Sequence, residues 1–165
     1  MKIMNSYYEF FSFLLQNGAM YFCVIKNTIL KFKEMDSQIK HYQNKLAFEM
    51  DPSDLFEALN NGEKVIALDA RKSFGFEAEH IPTAINIPHR EMNEETTKQL
   101  DKTFTYIIYC DGIGCNASTK GALNMSKLGF KVKELMGGIE WWKFDGYATD
   151  GIKANNHGQK IKCSC

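Results

Sequence analysis

Charge of one sign is missing from this chain: twenty Lys and Arg balance twenty Asp and Glu over 165 residues. Neutrality argues against a chain-wide electrostatic grip on nucleic acid, so no nucleic-acid partner is expected. Proline is scarce, at three, and with twelve glycines the chain is neither collagen-like nor proline-rich. Five cysteines, Cys23, Cys110, Cys115, Cys163 and Cys165, are too few and too uneven for a disulfide-stapled scaffold. Long hydrophobic runs are missing as well. The richest, Ala19 to Ile25, is seven residues long before Lys26 ends it, far short of the roughly 18 that span a membrane. Asn5, Ser6, Glu9 and Gln16 break up any secretory signal. What remains, 44% apolar and 24% charged residues, is ordinary for a globular protein. The length holds one domain of about 100–150 residues and a surplus. The expectation is a reduced, cytoplasmic protein with an N-terminal extension.

Residues 1–45 differ from the rest. Eight of the twenty-one aromatics occur by Phe32, and six lysines face three acids. From Tyr21 the apolar positions Ile25, Ile29, Phe32, Met35, Ile39 and Tyr42 follow in steps of three and four, one stripe along a helix. The patch Tyr7 to Leu15 is apolar on nearly all sides, and Asn17-Gly18 separates the two. The stripe is expected to pack on the following domain or on a second copy, which would make a homodimer through these helices. Lys26, Lys31 and Lys33 beside the aromatics leave peripheral membrane contact as a less favoured alternative.

From Leu46 strands and helices alternate. Leu46, Phe48 and Met50 are spaced by two, a short half-buried strand. Asp51-Pro52-Ser53-Asp54 reads as a helix start, with Asp51 capping and Pro52 at the first helical position; Asn61-Gly62 ends it. Val65 to Leu68, ending in Asp69, and Tyr106 to Tyr109, ending in Cys110, are continuous apolar runs of the kind buried on both faces. Ala117 to Leu128 reads as a helix closed by Gly129, Lys131 to Leu135 as a strand, and Gly137-Gly138 leads into an amphipathic turn. The pattern implies a mostly parallel sheet covered by helices. Domain boundaries are placed at 1–45, 46–150 and 151–165, the last a loose polar tail.

Ligands gather at the carboxyl ends of strands in such sheets. Cys110 leaves a buried strand and is followed by Asp111, Gly112, Ile113, Gly114, Cys115 and Asn116 before a helix begins. The glycines free the backbone to turn N–H groups inward, and the helix points its N-terminus at the same place; both favour a thiolate, the nucleophilic form.

These residues resemble a known family. Leu68-Asp69-Ala70-Arg71, Glu79-His80-Ile81-Pro82-Thr83-Ala84-Ile85-Asn86-Ile87-Pro88, Tyr109 to Asn116, and Gly137-Gly138-Ile139-Glu140-Trp141-Trp142 are similar, in order and spacing, to the rhodanese-like domain of the sulfurtransferase superfamily. The resemblance implies a three-layer α/β fold with a five-stranded sheet over residues 46–150. It implies that Cys110 becomes a persulfide, that residues 111–116 form the loop stabilising it, and that Asp69 and Arg71 support the loop's base. His80 is expected to be a satisfied turn histidine, and the two tryptophans to serve packing. No metal or organic cofactor is called for; the partners are a small-molecule or protein sulfur donor and acceptor.

The departures narrow the chemistry. Many members end the loop with Arg, which grips an anionic donor such as thiosulfate; here Cys115 stands there, and Asp111 adds a negative charge. Lys120, one helical turn on, is the nearest candidate cation. The Cys-x5-Arg loop of related phosphatases lacks its Arg, since Asn116 occupies that position. The expected function is transfer of sulfane sulfur through Cys110 to a thiol or other nucleophile. The alternatives are a non-catalytic binding module and a thiol redox sensor in which Cys115 resolves Cys110. Cys163 and Cys165, with His157, form a weak metal signal and read as tail thiols.

Overall fold

A computed structural model describes Leu30 and residues 33–161. The chain divides into two units, residues 1–44 and 45–165. In the first, Leu30 is helical, and a helix (α1, residues 33–48, the last four belonging to the second unit) bears Met35, Ile39 and Tyr42 of the expected stripe, all exposed. The rest of that stripe, except for these three residues, and the patch at 7–15 lie outside the described residues. Among the described residues no helix is long and apolar enough to cross a membrane.

The second unit is built on five parallel strands, β1 (Glu49–Met50), β2 (Val65–Asp69), β3 (Ile85–Asn86), β4 (Thr105–Tyr109) and β5 (Lys131–Leu135). Their spatial order is β1-β5-β4-β2-β3. The helices are α2 (Pro52–Asn60), α3 (Ser73–Ala78), α4 (Glu94–Thr97), α5 (Ala117–Lys127) and α6 (Gly138–Phe144). Side chains alternate across a strand, and β4 shows the consequence. Ile107 and Tyr109 face one core with Leu55 of α2 and Trp142 of α6, while Tyr106 and Ile108 face a second core with Met125 of α5. Helices on both faces of the sheet make three layers.

Local chemistry sets most boundaries. The Asp51 side chain accepts from the Asp54 N–H at 2.8 Å and Pro52 opens α2; Asn61 ends it, with Gly62 at φ +65°. Gly129, at φ +81°, follows α5.

Two expectations are corrected. The strand read at Leu46, Phe48 and Met50 is confined to Glu49–Met50, because the helix runs on to residue 48; Leu46 and Phe48 are 78% and 61% exposed. Residues 151–161 are not a loose tail. Their backbone is tied down by Ile152 N–H to Glu77 O, Lys153 N–H to Ala78 O and Ala148 N–H to Gln159 O, at 3.1, 2.8 and 2.8 Å, and Ile161 packs against the first core. Cys163 and Cys165 lie outside the described residues. Among those described, no group of three or more His, Cys, Asp or Glu is placed to hold a metal.

Candidate active site

Cys110 follows β4, the central strand, at its carboxyl end, and is 1% exposed. Three devices hold it there. First, α6 grips the strand exit: Ile139 N–H donates to Cys110 O at 3.0 Å, and Glu140 N–H to Asp111 O at 2.9 Å. This close approach explains the glycine at 138. Its φ is +58°, and a Cβ there would lie 2.3 Å from Cys110 O. Gly112 is less constrained: a Cβ would lie 2.1 Å from the Glu140 carboxylate, the end of a side chain that can swing aside.

The second device is the pair expected from sequence. Asp69, wholly buried, accepts from Arg71 N–H at 2.9 Å, from Nε at 3.0 Å and from Nη2 at 2.6 Å. Arg71 also donates through Nη1 to Asp111 Oδ1 at 3.1 Å and through Nη2 to Glu79 O at 2.6 Å. Burial by itself would weaken the charge on this guanidinium, but the hydrogen bonds and charge of Asp69, with Asp111, hold its pKa well above the usual arginine range. The negative charge of Asp111 is thus engaged at the loop's base.

The third device was not foreseen. Ser118, in the first turn of α5, sets its Oγ 3.2 Å from Cys110 Sγ and donates to Glu134 Oε1 of β5 at 2.7 Å; Thr119 Oγ1 donates to the same oxygen at 2.8 Å. The sequence signal was faint: a serine one turn into a helix, and a glutamate in an alternating strand that reads as solvated charge.

The environment of the sulfur differs from the expected cradle of loop amides. The thiol faces carbonyl oxygens, that of Cys115 at 3.1 Å and that of Gly112 at 3.9 Å. The Cys115 N–H is itself bonded to Gly112 O at 3.0 Å. The donor that does reach the sulfur, the N–H of Ser118, comes from the helix rather than from residues 112–116, while the Ser118 hydroxyl, its proton directed at Glu134, turns lone pairs to the thiol. Burial is the largest influence on the thiol and pushes it above its ordinary 9.0. Ser118 pulls the other way, and the Cys115 thiol adds to the rise. Cys110 therefore rests as a thiol, correcting the expectation of a thiolate: the strand end is buried and the loop turns acceptors toward it.

A pH dependence follows. Only the thiolate reacts, so alkylation of Cys110 should accelerate about tenfold per pH unit from neutrality and still be rising near pH 9. Peptide mapping after timed iodoacetamide treatment would measure it, and a plateau below about pH 8 would contradict it.

Two grooves are lined by residues around Cys110, which itself lines neither. One, of about 340 Å³, is lined by Gly112, Ile113, Gly114, Cys115, Asn116 and Ser118, with Thr119, Glu134 and Glu49 supplying its polar wall. The other, of about 330 Å³, runs past Arg71, Lys72, Phe74, Arg90 and Asp111. Cys115 is half-buried and lines both; it and Cys110 are free thiols. Lys120 is exposed and lines neither groove, so the cation sought from sequence is not there. His80 is satisfied as expected but lies in a β-bridge with Asp150 rather than a turn, its Nδ1 2.7 Å from Phe76 O and its ring stacked on Phe76. Trp142 is core, its Nε1 donating to Ala148 O, and Trp141 sits half-exposed at the rim.

Comparison with known proteins bears on the family and the fold. The Rhodanese-like domain family matches residues 51–145. The crystal structure of the BH2092 protein from Bacillus halodurans is 42% identical with a TM-score of 0.69, the overlap covering 72% of this chain and 88% of that one. A rhodanese-related protein from Thermoplasma volcanium is 28% identical with a TM-score of 0.55, over 62% and 97% of the two chains. A thiosulfate sulfurtransferase from Pseudomonas aeruginosa, 18% identical with a TM-score of 0.53 over 74% of this chain and 23% of its own, shares the fold alone. No match was found among curated proteins. Because the family match runs from the cap of α2 to the end of α6, and so takes in β4, its loop and the three devices that hold Cys110, this chain belongs to the rhodanese-like domain family.

Proposed function

We propose that the protein is a sulfurtransferase that carries sulfane sulfur as a persulfide on Cys110. The observation that carries this reading is the sulfur itself: a thiol at the carboxyl end of the central strand, 3.2 Å from the hydroxyl of Ser118, a residue that lines an open groove. A scaffold that only binds has no use for a buried thiol facing polar groups. The sulfur of Cys110 attacks the outer sulfur of a donor R–S–SH. The donor S–S bond breaks, RS⁻ leaves with the electron pair and takes up the proton that Cys110 gave up, and a Cys110 persulfide remains. An acceptor thiolate then attacks the outer sulfur and Cys110 leaves as thiolate. The chemistry needs no cofactor, and the Ser118 N–H and hydroxyl hold negative charge on the sulfur in both half-reactions.

The groove beside Ser118 favours an uncharged reacting sulfur. The wall nearest Ser118 carries Glu49 and Glu134, and Arg71 is already engaged by Asp69 and Asp111. A thiosulfate dianion meets repulsion there, whereas a small-molecule or protein persulfide presents its sulfane sulfur with little charge. Glutathione persulfide is therefore expected to be used at least about tenfold better than thiosulfate, the ratio that a difference of about 1.4 kcal/mol confers. Rates with both donors on one preparation, with the persulfide mapped by mass spectrometry after each, test both statements. Sulfur gained at Cys110 supports the proposal; none gained there from either donor overturns it.

A further inference from the structure

Glu134 occupies an unexpected place for a carboxylate. It lies in β5 between Lys133 and Leu135, and among the described residues no lysine or arginine pairs with it. Its register partner on β1, Glu49, has Lys45 at 2.8 Å. Glu134 has two hydroxyls instead, Ser118 Oγ at 2.7 Å and Thr119 Oγ1 at 2.8 Å, both on Oε1. A carboxylate only accepts, so both hydroxyl protons are directed at it. Ser118 Oγ is left with lone pairs toward Cys110 Sγ, 3.2 Å away. Thiol, hydroxyl and carboxylate form one unbroken chain, and Ser118, Thr119 and Glu134 all line the same groove.

The geometry points to Glu134 as the acceptor of the Cys110 proton during sulfur transfer, reached through the Ser118 hydroxyl. This rests on the reading of Cys110 as the sulfur carrier. As Cys110 attacks the donor, its proton passes to Ser118 Oγ while the Ser118 proton passes to Glu134. The hydroxyl then points at the sulfur, and Thr119 keeps its bond to the carboxyl group. The departing RS⁻, in the groove that Glu134 lines, takes the proton from Glu134 and restores the starting state. One S–S bond is broken and one formed, and no oxidant or reductant takes part.

Ser118 touches the reacting sulfur and Glu134 returns the proton to the leaving group, so both are catalytic residues in this scheme. The other charged or titratable groups around the chain are engaged elsewhere or lie on its edge. Glu49 is held by Lys45, Asp111 by Arg71, Glu140 stands over Gly112, and the Cys115 thiol borders Cys110 on the loop side.

Glu134→Gln separates this role from a merely electrostatic or structural one. Glutamine keeps an acceptor for both hydroxyls but takes no proton, and it removes a negative charge from near the sulfur. The thiol of Cys110 should then ionise at lower pH, read from the pH profile of its alkylation, while single-turnover loading from glutathione persulfide at neutral pH falls about 100-fold. Loading in the variant should follow the titration of Cys110, with partial recovery in Glu134→Asp. A Gln variant that ionises at lower pH and loads as fast as the wild type, or faster, overturns the inference while leaving Cys110 as carrier intact. Absence of any loading on Cys110 in the wild type defeats the underlying function instead. Should Glu134→Gln not fold, Ser118→Ala tests the same chain: a similar loss, recovered in Ser118→Thr, is expected, and unchanged loading overturns the proposal.

Discussion

Cys110→Ser is expected to lower transfer of sulfur from glutathione persulfide to an acceptor thiol by on the order of 10³-fold or more, since the nucleophile itself is removed. Serine is nearly the same size and can keep the contacts to Ser118 Oγ and the Cys115 carbonyl, so the fold should survive with a stability change of about 1 kcal/mol. What serine lacks is a sulfur that ionises within reach of neutral pH and can both attack an S–S bond and leave from one. Steady-state rates on a variant with an unaltered circular dichroism spectrum decide the matter. Transfer within about tenfold of the wild type would place the chemistry elsewhere, and Cys115, which lines both grooves, would be the residue to examine.

The second large effect concerns stability as well as activity. Gly138→Ala should destabilise the domain by about 3 kcal/mol and lower Tm by on the order of 10 °C. The added Cβ lies 2.3 Å from Cys110 O and 3.0 Å from Asp111 O, both main-chain atoms, and the residue sits at φ +58°. Neither neighbour is a flexible side-chain end that can swing aside. Relief requires α6 to withdraw, which gives up the hydrogen bonds from Ile139 and Glu140 to the Cys110 and Asp111 carbonyls. Because those bonds locate the strand exit, sulfur loading should fall together with stability. Thermal unfolding with a parallel loading assay checks both; a variant as stable and as active as the wild type would show that this grip does not position the sulfur.

Much of the site was legible in the order of residues because its signals are local. Asp51-Pro52 at a helix start, a continuous apolar run ending in Cys110, and Asp69 two residues from Arg71 each follow from sterics or hydrogen bonding within a few positions, and the structure forms each of these elements or pairings. The misreadings share one cause. The alternation of Leu46, Phe48 and Met50 suits a strand as a pattern, but the helix before it continues to residue 48. The polar composition of residues 151–161 suggested a loose end, yet their backbone groups find partners on Glu77 and Ala78, far away in the chain, and on nearby Ala148.

Residue order by itself determined the parallel α/β class and the position of Cys110 at the end of a buried strand, since periodicity and chain turning are written in short stretches. Only the tertiary structure decided what surrounds that thiol. The Cys115 carbonyl faces it in place of the expected amides, and Ser118 and Glu134, sixteen residues apart on a helix and a strand, meet beside it. Hydrogen-bond direction and the contact between a helix and the sheet beneath it depend on how whole elements pack, and no local pattern carries that information.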